Sequence, residues 1–407
     1  MRCGLLGEKL LHSYSPQIHK FFGNYSYQLF EKSLQELPIF LRDGDFTGLN
    51  ITMPYKKAVI PFCTQLSDCA QKLGAVNTII KCADGSLFGH NTDYFGFHSL
   101  LIHSGLNLQN KKVLVLGSGG ASVTAVTVLK ELGAIPIVIS RNGQYHYQNL
   151  HLHRDASVIV NTTPVGMYPN TGFAPIALDD FPVLEGVLDV IYNPARTKLL
   201  LDAEKKGLVT ENGLWMLVAQ AKQSAELFLG RSLSDDLILS TYNALQKQTE
   251  NTVLIGMPGC GKSTVGHYLA TITGKIFVDT DKIIEQRTGR KIPDLFRECG
   301  ENYFRSIESA VLEEMGKQSG LIIATGGGCV TRSENYDFLH QNGRIFWLQR
   351  EISLLPTDGR PLSQTYSVEN MYKVREPLYK CFADHIIRND SSPENVAQTI
   401  AVWEDHA

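Results

Sequence analysis

The sequence predicts an α/β protein made of parallel sheets covered by helices, with two such units in tandem. Short β-rich apolar runs alternate with longer stretches of helical character, which is typical of parallel sheets. Two series of such runs are visible, and each contains a glycine-rich turn directly after a strand. The chain has 407 residues, more than one hydrophobic core usually serves, since domains contain roughly 100 to 200 residues.

The composition favours a protein that acts on small molecules. Hydrophobic residues make up 43% and charged residues 19% of the chain, and the formal net charge of -3 gives no attraction to nucleic acid or an anionic membrane. No run approaches the roughly 18 apolar residues of a membrane span, and the first residues do not read as a secretory signal. The 8 cysteines are scattered without zinc-site spacing. We therefore expect a cytoplasmic location.

The first series has its clearest strand at Lys112 to Leu116. Further strands are predicted at Pro136 to Ser140, Ser157 to Asn161 and Gly186 to Val190. The turn after the first strand has the form of a dinucleotide-binding turn, because its glycines let the backbone approach a pyrophosphate and a helical run follows. It consists of Gly117, Ser118, Gly119, Gly120 and Ala121. The alternative is an ordinary tight turn in an α/β unit.

The residues after the second strand distinguish the two nicotinamide dinucleotides. A carboxylate there binds the adenosine ribose of NAD, whereas a basic residue accommodates the 2′-phosphate of NADP. The strand ends at Ser140 and is followed by Arg141 and Asn142, without Asp or Glu. The sequence therefore predicts NADP, with a solvated Arg141 as the alternative.

The second series begins at Asn251 and contains a phosphate-binding loop. Residues 256–264 read GMPGCGKST, which meets the pattern GxxxxGK[ST] between a strand and a helical run. Backbone N–H groups and the helix N-terminus attract phosphate, Lys262 reaches the β and γ phosphates, and Ser263 ligates Mg²⁺. The residues predicted to bind ATP are Gly256, Gly259, Cys260, Gly261, Lys262, Ser263 and Thr264.

The next strand of this series supplies two carboxylates. Asp279 and Asp281 occupy alternate positions, which predicts that both lie on one side of a strand end. We predict that Asp279 holds Mg²⁺ together with Ser263 and that Asp281 accepts a hydroxyl proton. The alternative is a solvated strand end with helix-capping Asp residues.

Residues 250–407 resemble shikimate kinase. The resemblance rests on the phosphate loop and DTD, and on GENYFRSIE, ATGGGCV, GRPL and REPLYKCFAD in the family's order. It implies that shikimate is bound by Asp281, Arg305, Gly327 and Arg375, with the two arginines taking its carboxylate. It also implies catalytic roles for Asp281, Lys262 and Arg360, with Arg360 reaching the transferring phosphate from a lid. The lid segment, residues 351–367, is shorter than is usual in the family.

Residues 2–245 resemble shikimate dehydrogenase. The motifs are HSYSP, GLNITMPYK, GAVNTI, GHNTDYFGF, NTTPVGM, YNP and ENGLWMLVAQA. They imply a shikimate or dehydroshikimate site lined by Ser13, Ser15, Asn50, Thr52, Asn77 and Gln220, with Tyr192 at its border. They imply Lys56 and Asp93 as the catalytic pair, because reducing a ketone needs a proton on oxygen beside the hydride. They add Thr163 and Gly213 to the cofactor site.

The sequence as a whole predicts a bifunctional shikimate-pathway enzyme. Residues 1–245 would reduce 3-dehydroshikimate with NADPH, using a substrate domain (about 1–103 plus 214–245) and a Rossmann domain (about 104–213). Residues 251–407 would phosphorylate shikimate with MgATP in a P-loop kinase domain. The polar stretch LSTYNALQKQTEN shows no sustained apolar face, which predicts a linker at residues 246–250. Two alternatives stay open: a quinate dehydrogenase using NAD, or one half kept as a non-catalytic binding module.

Overall fold

The computed structural model describes residues 1–10, 13–355 and 367–405. The described chain forms two compact units. The first consists of Met1–Val165, Ala174–Tyr192 and Asp202–Leu245, and the second of Gly166–Phe173, Asn193–Leu201 and Gln246–Ala407. The second unit thus takes in two short segments that precede residue 245, which the predicted domain limits did not anticipate.

The first unit begins with a mixed six-stranded sheet. Its strands are β1 (Arg2–Gly7), β2 (Ser26–Glu31), β3 (Gly48–Ile51), β4 (Gln65–Leu66), β5 (Thr78–Lys81) and β6 (Leu87–His90), in the order β2-β1-β3-β5-β6-β4. The helices of this part are α1 (Ser15–Phe22), α2 (Leu37–Asp43) and α3 (Asp68–Leu73). β1 runs parallel to β2 and β3, whereas β5 is antiparallel to both of its neighbours. All four residues of β3 are buried, as expected for a central strand covered on both faces.

A second, fully parallel sheet of five strands completes the first unit. Its strands are β7 (Lys112–Leu116), β8 (Ile135–Ile139), β9 (Val158–Asn161), β10 (Gly186–Asp189) and β11 (Val209–Glu211), in the order β11-β10-β9-β7-β8. The associated helices are α4 (Asp93–His103), α5 (Gly120–Glu131), α6 (Lys198–Lys205) and α7 (Leu214–Leu229), of which α6 belongs to the second unit as far as Leu201. The predicted strands of this series are therefore confirmed, with ends that differ by at most one residue.

Helices α4 and α7 pack closely because α4 carries a glycine at the contact. A Cβ atom on Gly96 would lie only 2.7 Å from the carbonyl oxygen of Met216 and 2.9 Å from Cβ of Gln220. Asp93 is the first residue of α4, and Gln220 lies in the middle of α7. The close packing thus brings two predicted site residues from distant parts of the sequence together.

The predicted linker is wrong, because a helix occupies it. Helix α8 spans Asp236–Thr249, and β12 begins at Asn251, so only Glu250 lies between the two elements. The buried residues of α8 are Ile238, Thr241 and Leu245, which follow each other at three- and four-residue spacing. The helix has an apolar face after all, since Ile238 and Leu245 belong to a hydrophobic core and Tyr242 packs against it.

The second unit contains a parallel sheet of five strands. They are β12 (Asn251–Ile255), β13 (Ile276–Asp279), β14 (Leu321–Ala324), β15 (Gly343–Gln349) and β16 (His385–Arg388), in the order β13-β14-β12-β15-β16. The helices are α9 (Lys262–Thr273), α10 (Thr280–Thr288), α11 (Ile292–Lys317), α12 (Glu334–His340), α13 (Val368–Phe382) and α14 (Pro393–Asp405). Ligands of such sheets bind at the carboxyl ends of the strands, and β12 leads directly into the predicted phosphate loop.

Single turns of 3₁₀ helix occur at Ile60–Phe62, Cys329–Thr331 and Ile352–Leu354, with a longer one at Tyr147–His153. Within residues 1–10, 13–355 and 367–405, no helix is both long enough and apolar enough to cross a membrane.

Candidate active sites

The predicted catalytic pair of the first unit is in direct contact. Lys56 Nζ donates a hydrogen bond of 2.6 Å to Oδ2 of Asp93. Lys56 lies just after β3, and Asp93 begins α4, so neither is near the other in sequence. The side chains keep 33% and 18% of their surface exposed, which leaves the ammonium group accessible to a small molecule. Such a pair can deliver a proton to an oxygen atom while its carboxylate stays in place.

The other carboxylate oxygen of Asp93 is held by Asn77. Asn77 Nδ2 donates to Asp93 Oδ1 at 2.9 Å and to Thr92 Oγ1 at 3.0 Å, and the Thr92 backbone N–H donates to Asn77 Oδ1 at 2.7 Å. The Thr92 hydroxyl in turn donates to Gln220 Oε1 at 3.2 Å. One hydrogen-bonded network therefore joins Lys56, Asp93, Asn77 and Gln220, all of which the sequence predicted for this site.

Asn50, the fifth predicted residue, is almost fully buried and belongs to a neighbouring network. Its Nδ2 donates to Ser224 Oγ at 2.7 Å and to Thr78 Oγ1 at 3.2 Å. Its Oδ1 accepts a 2.8 Å hydrogen bond from the hydroxyl of Tyr27. Ser224 also lies 3.1 Å from Thr92 Oγ1, so the two networks are connected. Ser224 and Thr92 were not predicted as site residues, because their roles depend on contacts made only in the folded chain.

The remaining predicted substrate residues of this unit lie on loops at the ends of elements. Ser15 is the first residue of α1, and its backbone N–H donates to Ser13 Oγ at 3.2 Å. Thr52 follows β3, where its backbone N–H donates to the Leu6 carbonyl at 3.0 Å. The ring of Tyr192 lies 5.6 Å from that of Tyr14, which stands between the two serines in sequence. The HSYSP loop and the YNP motif therefore meet in the structure.

The dinucleotide turn has the geometry that a pyrophosphate requires. Gly117 has φ of 107°, which favours glycine, and a Cβ there would lie 2.9 Å from Thr162 Oγ1 and 3.0 Å from Thr163 Cγ2. A Cβ on Gly119 or Gly120 would meet nothing within 4 Å, so the backbone at the start of α5 is open to a ligand. The N-terminus of this helix favours negative charge. These residues fit a dinucleotide.

The other residues predicted to bind the dinucleotide are Thr163, Gly213 and Arg141. The backbone N–H and hydroxyl of Thr163 both donate to Asn161 Oδ1, at 3.0 and 2.7 Å. Gly213 caps α7 and packs so closely on Val190 that a Cβ would collide with its carbonyl oxygen at 2.0 Å. Arg141 follows β8 and is exposed. Its guanidinium group is therefore accessible to a phosphate.

The phosphate loop of the second unit follows β12 as predicted. Gly256, Gly259 and Gly261 have φ values of 142°, 83° and 102°, and Gly261 caps α9. Lys262 Nζ donates to the carbonyl oxygens of Gly256 at 2.8 Å and Met257 at 3.1 Å, so the lysine bonds its own loop. The Cys260 side chain is buried, whereas its carbonyl oxygen accepts a hydrogen bond from Asn389 Nδ2.

The two predicted metal ligands are adjacent. Ser263 Oγ donates to Asp279 Oδ2 at 2.8 Å, and Asp279 Oδ1 caps α10 by accepting from the N–H groups of Asp281 at 3.1 Å and Lys282 at 3.3 Å. A hydroxyl and a carboxylate beside a phosphate loop are oxygen donors of the kind that Mg²⁺ prefers. The predicted strand placement of Asp281 is wrong, because the capping by Asp279 starts α10 at Thr280 and puts Asp281 in its first turn.

Asp281 is a partly buried carboxylate beside a second one, Glu308. Its Oδ1 and Glu308 Oε1 are buried and have no hydrogen-bond partner among the described residues. Burial raises the pKa of Asp281 to about 6, and the negative charge of Glu308 adds to the increase. Burial likewise raises the pKa of Glu308, against the effect of the Arg305 guanidinium. A base of this kind is unprotonated at neutral pH and sits in a weakly solvated environment that strengthens its interactions.

A cavity of 540 Å³ opens above the carboxyl ends of these strands. It is lined by the phosphate loop and by Asp279, Asp281, Arg305, Gly327 and Arg375, so the predicted acceptor residues share it with the predicted nucleotide residues. Arg305 forms ion pairs with Glu308 at 2.7 Å and with Glu301 at 3.0 Å. Arg375 Nη1 donates to the Gly327 carbonyl at 3.2 Å. Arg360, the predicted lid arginine, lies outside the described residues.

Glu308 lines this cavity and Tyr379 contacts one of its lining residues, although the sequence analysis did not select either. Glu308 follows Arg305 by three residues in α11, a spacing that places two side chains on one helix face and was the available signal. Tyr379 follows Arg375 by four residues in α13 and donates a hydrogen bond to the Gly327 carbonyl.

Comparison with known proteins gives each half a counterpart. The family model for the shikimate dehydrogenase substrate binding domain matches residues 5–79, and the family model for shikimate kinase matches residues 258–403. A shikimate dehydrogenase (NADP(+)) from Caldicellulosiruptor saccharolyticus is 32% identical over 276 residues, covering 60% of this chain and 98% of that protein.

Two solved structures are similar to the first 60% of the chain. Shikimate 5-dehydrogenase from Thermus thermophilus, in complex with NADP(H) and shikimate, is 31% identical with a TM-score of 0.55, and the match covers 99% of it. Quinate dehydrogenase from Corynebacterium glutamicum, in complex with NAD, is 27% identical with a TM-score of 0.54 over 99% of its chain. The chain belongs to the shikimate dehydrogenase family and carries a shikimate kinase domain in its C-terminal part.

Proposed function

We propose that this protein catalyses two consecutive reactions, the reduction of 3-dehydroshikimate to shikimate with NADPH and the phosphorylation of shikimate to shikimate 3-phosphate with MgATP. The reduction is supported by the 2.6 Å contact between Lys56 and Asp93 in a unit with an open dinucleotide turn. The phosphorylation is supported by the cavity in which Asp281, Arg305 and Arg375 lie beside the phosphate loop. Each half thus contains the groups that its reaction requires.

In the reduction, Lys56 supplies the proton. NADPH, when bound at the turn before α5, supplies the hydride that the protein lacks. The Lys56 ammonium donates a hydrogen bond to the substrate carbonyl oxygen and transfers a proton to it as the C–O group becomes an alcohol. Asp93 holds the ammonium group, and Asn77 holds Asp93 from the other side. Both carboxylate oxygens are engaged, so the lysine keeps one orientation throughout the reaction.

In the phosphorylation, Asp281 accepts the proton of the attacking hydroxyl group. The hydroxyl oxygen forms a bond to the γ phosphorus of ATP while the bond from that phosphorus to the β–γ bridging oxygen breaks, and ADP leaves. Arg305 and Arg375 bind the substrate carboxylate through charge-assisted hydrogen bonds. Lys262 moves from its loop carbonyls to the phosphates, and Ser263 with Asp279 would hold Mg²⁺, which neutralises the developing charge.

Small molecules are the partners that this proposal requires. The shikimate made by the first unit is the acceptor of the second, so the substrate and product are free metabolites rather than macromolecules. We also propose a cytoplasmic location. It is supported by the eight cysteines, which are all free thiols, as a reducing compartment would keep them.

A single reaction mixture tests both activities and their order. The purified full chain is supplied with dehydroshikimate, NADPH and MgATP, and the products are identified by mass spectrometry. We expect shikimate 3-phosphate, and we expect shikimate to accumulate instead when ATP is omitted. Oxidation of NADPH without any phosphorylated product would contradict the kinase assignment, and phosphorylation of added shikimate without NADPH oxidation would contradict the dehydrogenase assignment.

A quinate dehydrogenase that uses NAD is the second candidate for the first unit. The similarity to the quinate dehydrogenase of C. glutamicum favours it, and so does the cofactor loop, in which no second Lys or Arg follows Arg141 before Arg154. Steady-state rates on both acids with both cofactors distinguish the candidates. A higher kcat/KM for quinate with NAD than for shikimate with NADP would replace our assignment.

A further inference from the structure

The Gly327 loop touches the phosphate loop directly. A Cβ on Gly327 would lie 2.6 to 2.8 Å from Cδ, Cγ and N of Pro258, so only a glycine permits this approach of the two backbones. A glycine has no side chain with which to bind an acceptor, and its contact with a ligand must therefore come from its backbone. The orientation of the Gly327 backbone then decides how the acceptor is held.

Two side chains of α13 hold the Gly327 carbonyl oxygen. Arg375 Nη1 donates to it at 3.2 Å, and the hydroxyl of Tyr379 donates to it as well. This oxygen and the N–H of Gly328 belong to one planar peptide group, so the two bonds from α13 fix the orientation of the backbone between two cavity-lining glycines. Arg375 spends one N–H on this bond and keeps the others for a carboxylate.

Tyr379 is itself held rigidly. Its side chain is fully buried and stacks on Trp347, with ring centroids 5.6 Å apart at 23°. Its hydroxyl lies 3.8 Å from Met257 Sδ in the phosphate loop, so the hydroxyl group stands where the two loops meet. Burial raises the pKa of Tyr379 well above its usual range. The hydroxyl therefore keeps its proton and remains a donor at every working pH.

We propose that Tyr379 is a positioning residue of the kinase site, which fixes the Gly327 peptide through its hydroxyl and so determines the affinity for the acceptor. This inference rests on the proposed kinase function. Tyr379 contacts the carbonyl oxygen of a cavity-lining glycine and is not itself a lining residue, so it acts through Gly327 and not on the substrate.

The variant Tyr379→Phe removes only the hydroxyl and tests the proposal in the full chain. We expect the KM for shikimate to rise about fivefold, the effect of one net hydrogen bond, while the KM for ATP and kcat stay within about twofold. The matched control is Tyr372→Phe on the same helix, whose hydroxyl accepts a 3.2 Å hydrogen bond from Gln349 Nε2 and makes no bond to Gly327. This control should leave all three constants unchanged.

The outcomes separate this inference from the function on which it rests. An unchanged KM for shikimate in Tyr379→Phe overturns the inference, and so does an equal rise in both KM values together with a lower melting temperature, which indicates general loosening. If Tyr379→Phe does not fold, Trp347→Phe weakens the stacking and keeps the hydroxyl, and the KM for shikimate should then rise about threefold while the KM for ATP is unchanged. An equal change in both KM values in this variant also overturns the inference. A wild-type chain that binds MgADP but does not phosphorylate shikimate contradicts the proposed function instead.

Discussion

The two units hold their acid–base carboxylates in opposite ways. In the first unit Asp93 has both oxygens bonded, one to Lys56 and one to Asn77. In the second unit Asp281 is partly buried next to Glu308, and its Oδ1 has no hydrogen-bond partner in the described part of the chain. In the function that we propose, the first carboxylate holds a cation in place, whereas the second itself accepts a proton.

The difference follows from what each reaction asks of a carboxylate. A ketone reduction needs a proton donor, so the carboxylate is paired and the lysine does the chemistry. A phosphoryl transfer needs an acceptor for a hydroxyl proton, and burial, which raises the pKa of Asp281, makes that carboxylate a stronger base. The comparison teaches that a fully bonded carboxylate and a poorly bonded one mark different roles, even when both stand at the start of a helix.

The comparison predicts that either of the two activities can be abolished without loss of the other. Lys56→Ala should lower the kcat of the dehydrogenase by about 10² to 10⁴, because the proton donor is lost, and leave shikimate phosphorylation unchanged. Initial rates of both activities in one preparation measure this. Lys57→Ala, at the exposed neighbouring position, is the control and should behave as wild type. Full dehydrogenase turnover in Lys56→Ala would favour a different proton donor.

A second variant should lose activity and gain stability. Asp281→Asn should reduce the kinase kcat by about 10² or more, because the base is lost. It should also stabilise the fold at pH 7.5 by on the order of 1 kcal/mol, because it removes a buried charge that has too few partners. Calorimetry of the full chain measures the second effect. Asp294→Asn, which removes the charge of a surface ion pair with Arg297, is the control and should change neither property.

The sign of the stability effect follows from the direction of the pKa shift. The pKa of Asp281 is about 6 in the folded chain, above its ordinary value of 3.8, so the folded chain binds the proton more tightly than the unfolded chain. Ionisation of Asp281 therefore costs stability as the pH rises from about 4 to about 6. The gain from Asp281→Asn should be present at pH 7.5 and vanish near pH 4. A loss of stability at pH 7.5 would show that the charge is compensated.

The raised pKa of Asp281 also predicts a pH dependence that distinguishes the roles of Asp281 and Glu308. For shikimate phosphorylation, kcat/KM should fall below about pH 6, because protonated Asp281 cannot accept the hydroxyl proton. Glu308→Gln should move this acid limb to lower pH, since the negative charge of Glu308 raises the pKa of Asp281. Rates measured from pH 4.5 to 8 test both statements. An acid limb at pH 4 in the wild type would mean that Asp281 is not the base.

A smaller effect than those on the two carboxylates concerns the cofactor. Arg141→Ala should raise the KM for NADPH by about tenfold and leave the KM for NADH unchanged, because a charge-assisted bond to the 2′-phosphate is lost. Lys130→Ala, an exposed substitution on α5, is the control. Equal effects on both cofactors would mean that Arg141 does not bind the 2′-phosphate and would strengthen the NAD alternative.

The sequence alone was sufficient to predict those elements that depend on a local pattern of residues. The strands around the dinucleotide turn and the phosphate loop were predicted correctly, because each turn needs glycines between a strand and a helix. Asp281 was placed on the wrong element, because capping by Asp279 starts a helix that strand alternation does not reveal. Helix α8 was missed because one of its buried positions is Thr241, which counts as polar in a sequence pattern.

Other parts of the sites depend on contacts between distant residues. Ser224 bonds Asn50 across 174 positions of sequence and has no motif of its own. Likewise, Glu308 accepts a hydrogen bond from Arg305, and Tyr379 donates one to Gly327. The sequence had already selected Arg305 and Gly327. Motifs therefore identified the candidate site residues, whereas the contacts that hold those residues in place became visible in the folded structure.

The end of helix α8 has a practical consequence for anyone who wishes to produce the two enzymes separately. The carbonyl oxygen of Thr249 accepts a 2.9 Å hydrogen bond from the N–H of Gly320, and Glu250 pairs with Arg344 at 3.1 Å, while Leu245, one turn earlier, is buried in the core of the first unit. If the gene were divided within residues 246–250, one of the two products would lack the end of helix α8. Separate expression clones should both encode residues 246–250, so that this turn is duplicated rather than cut.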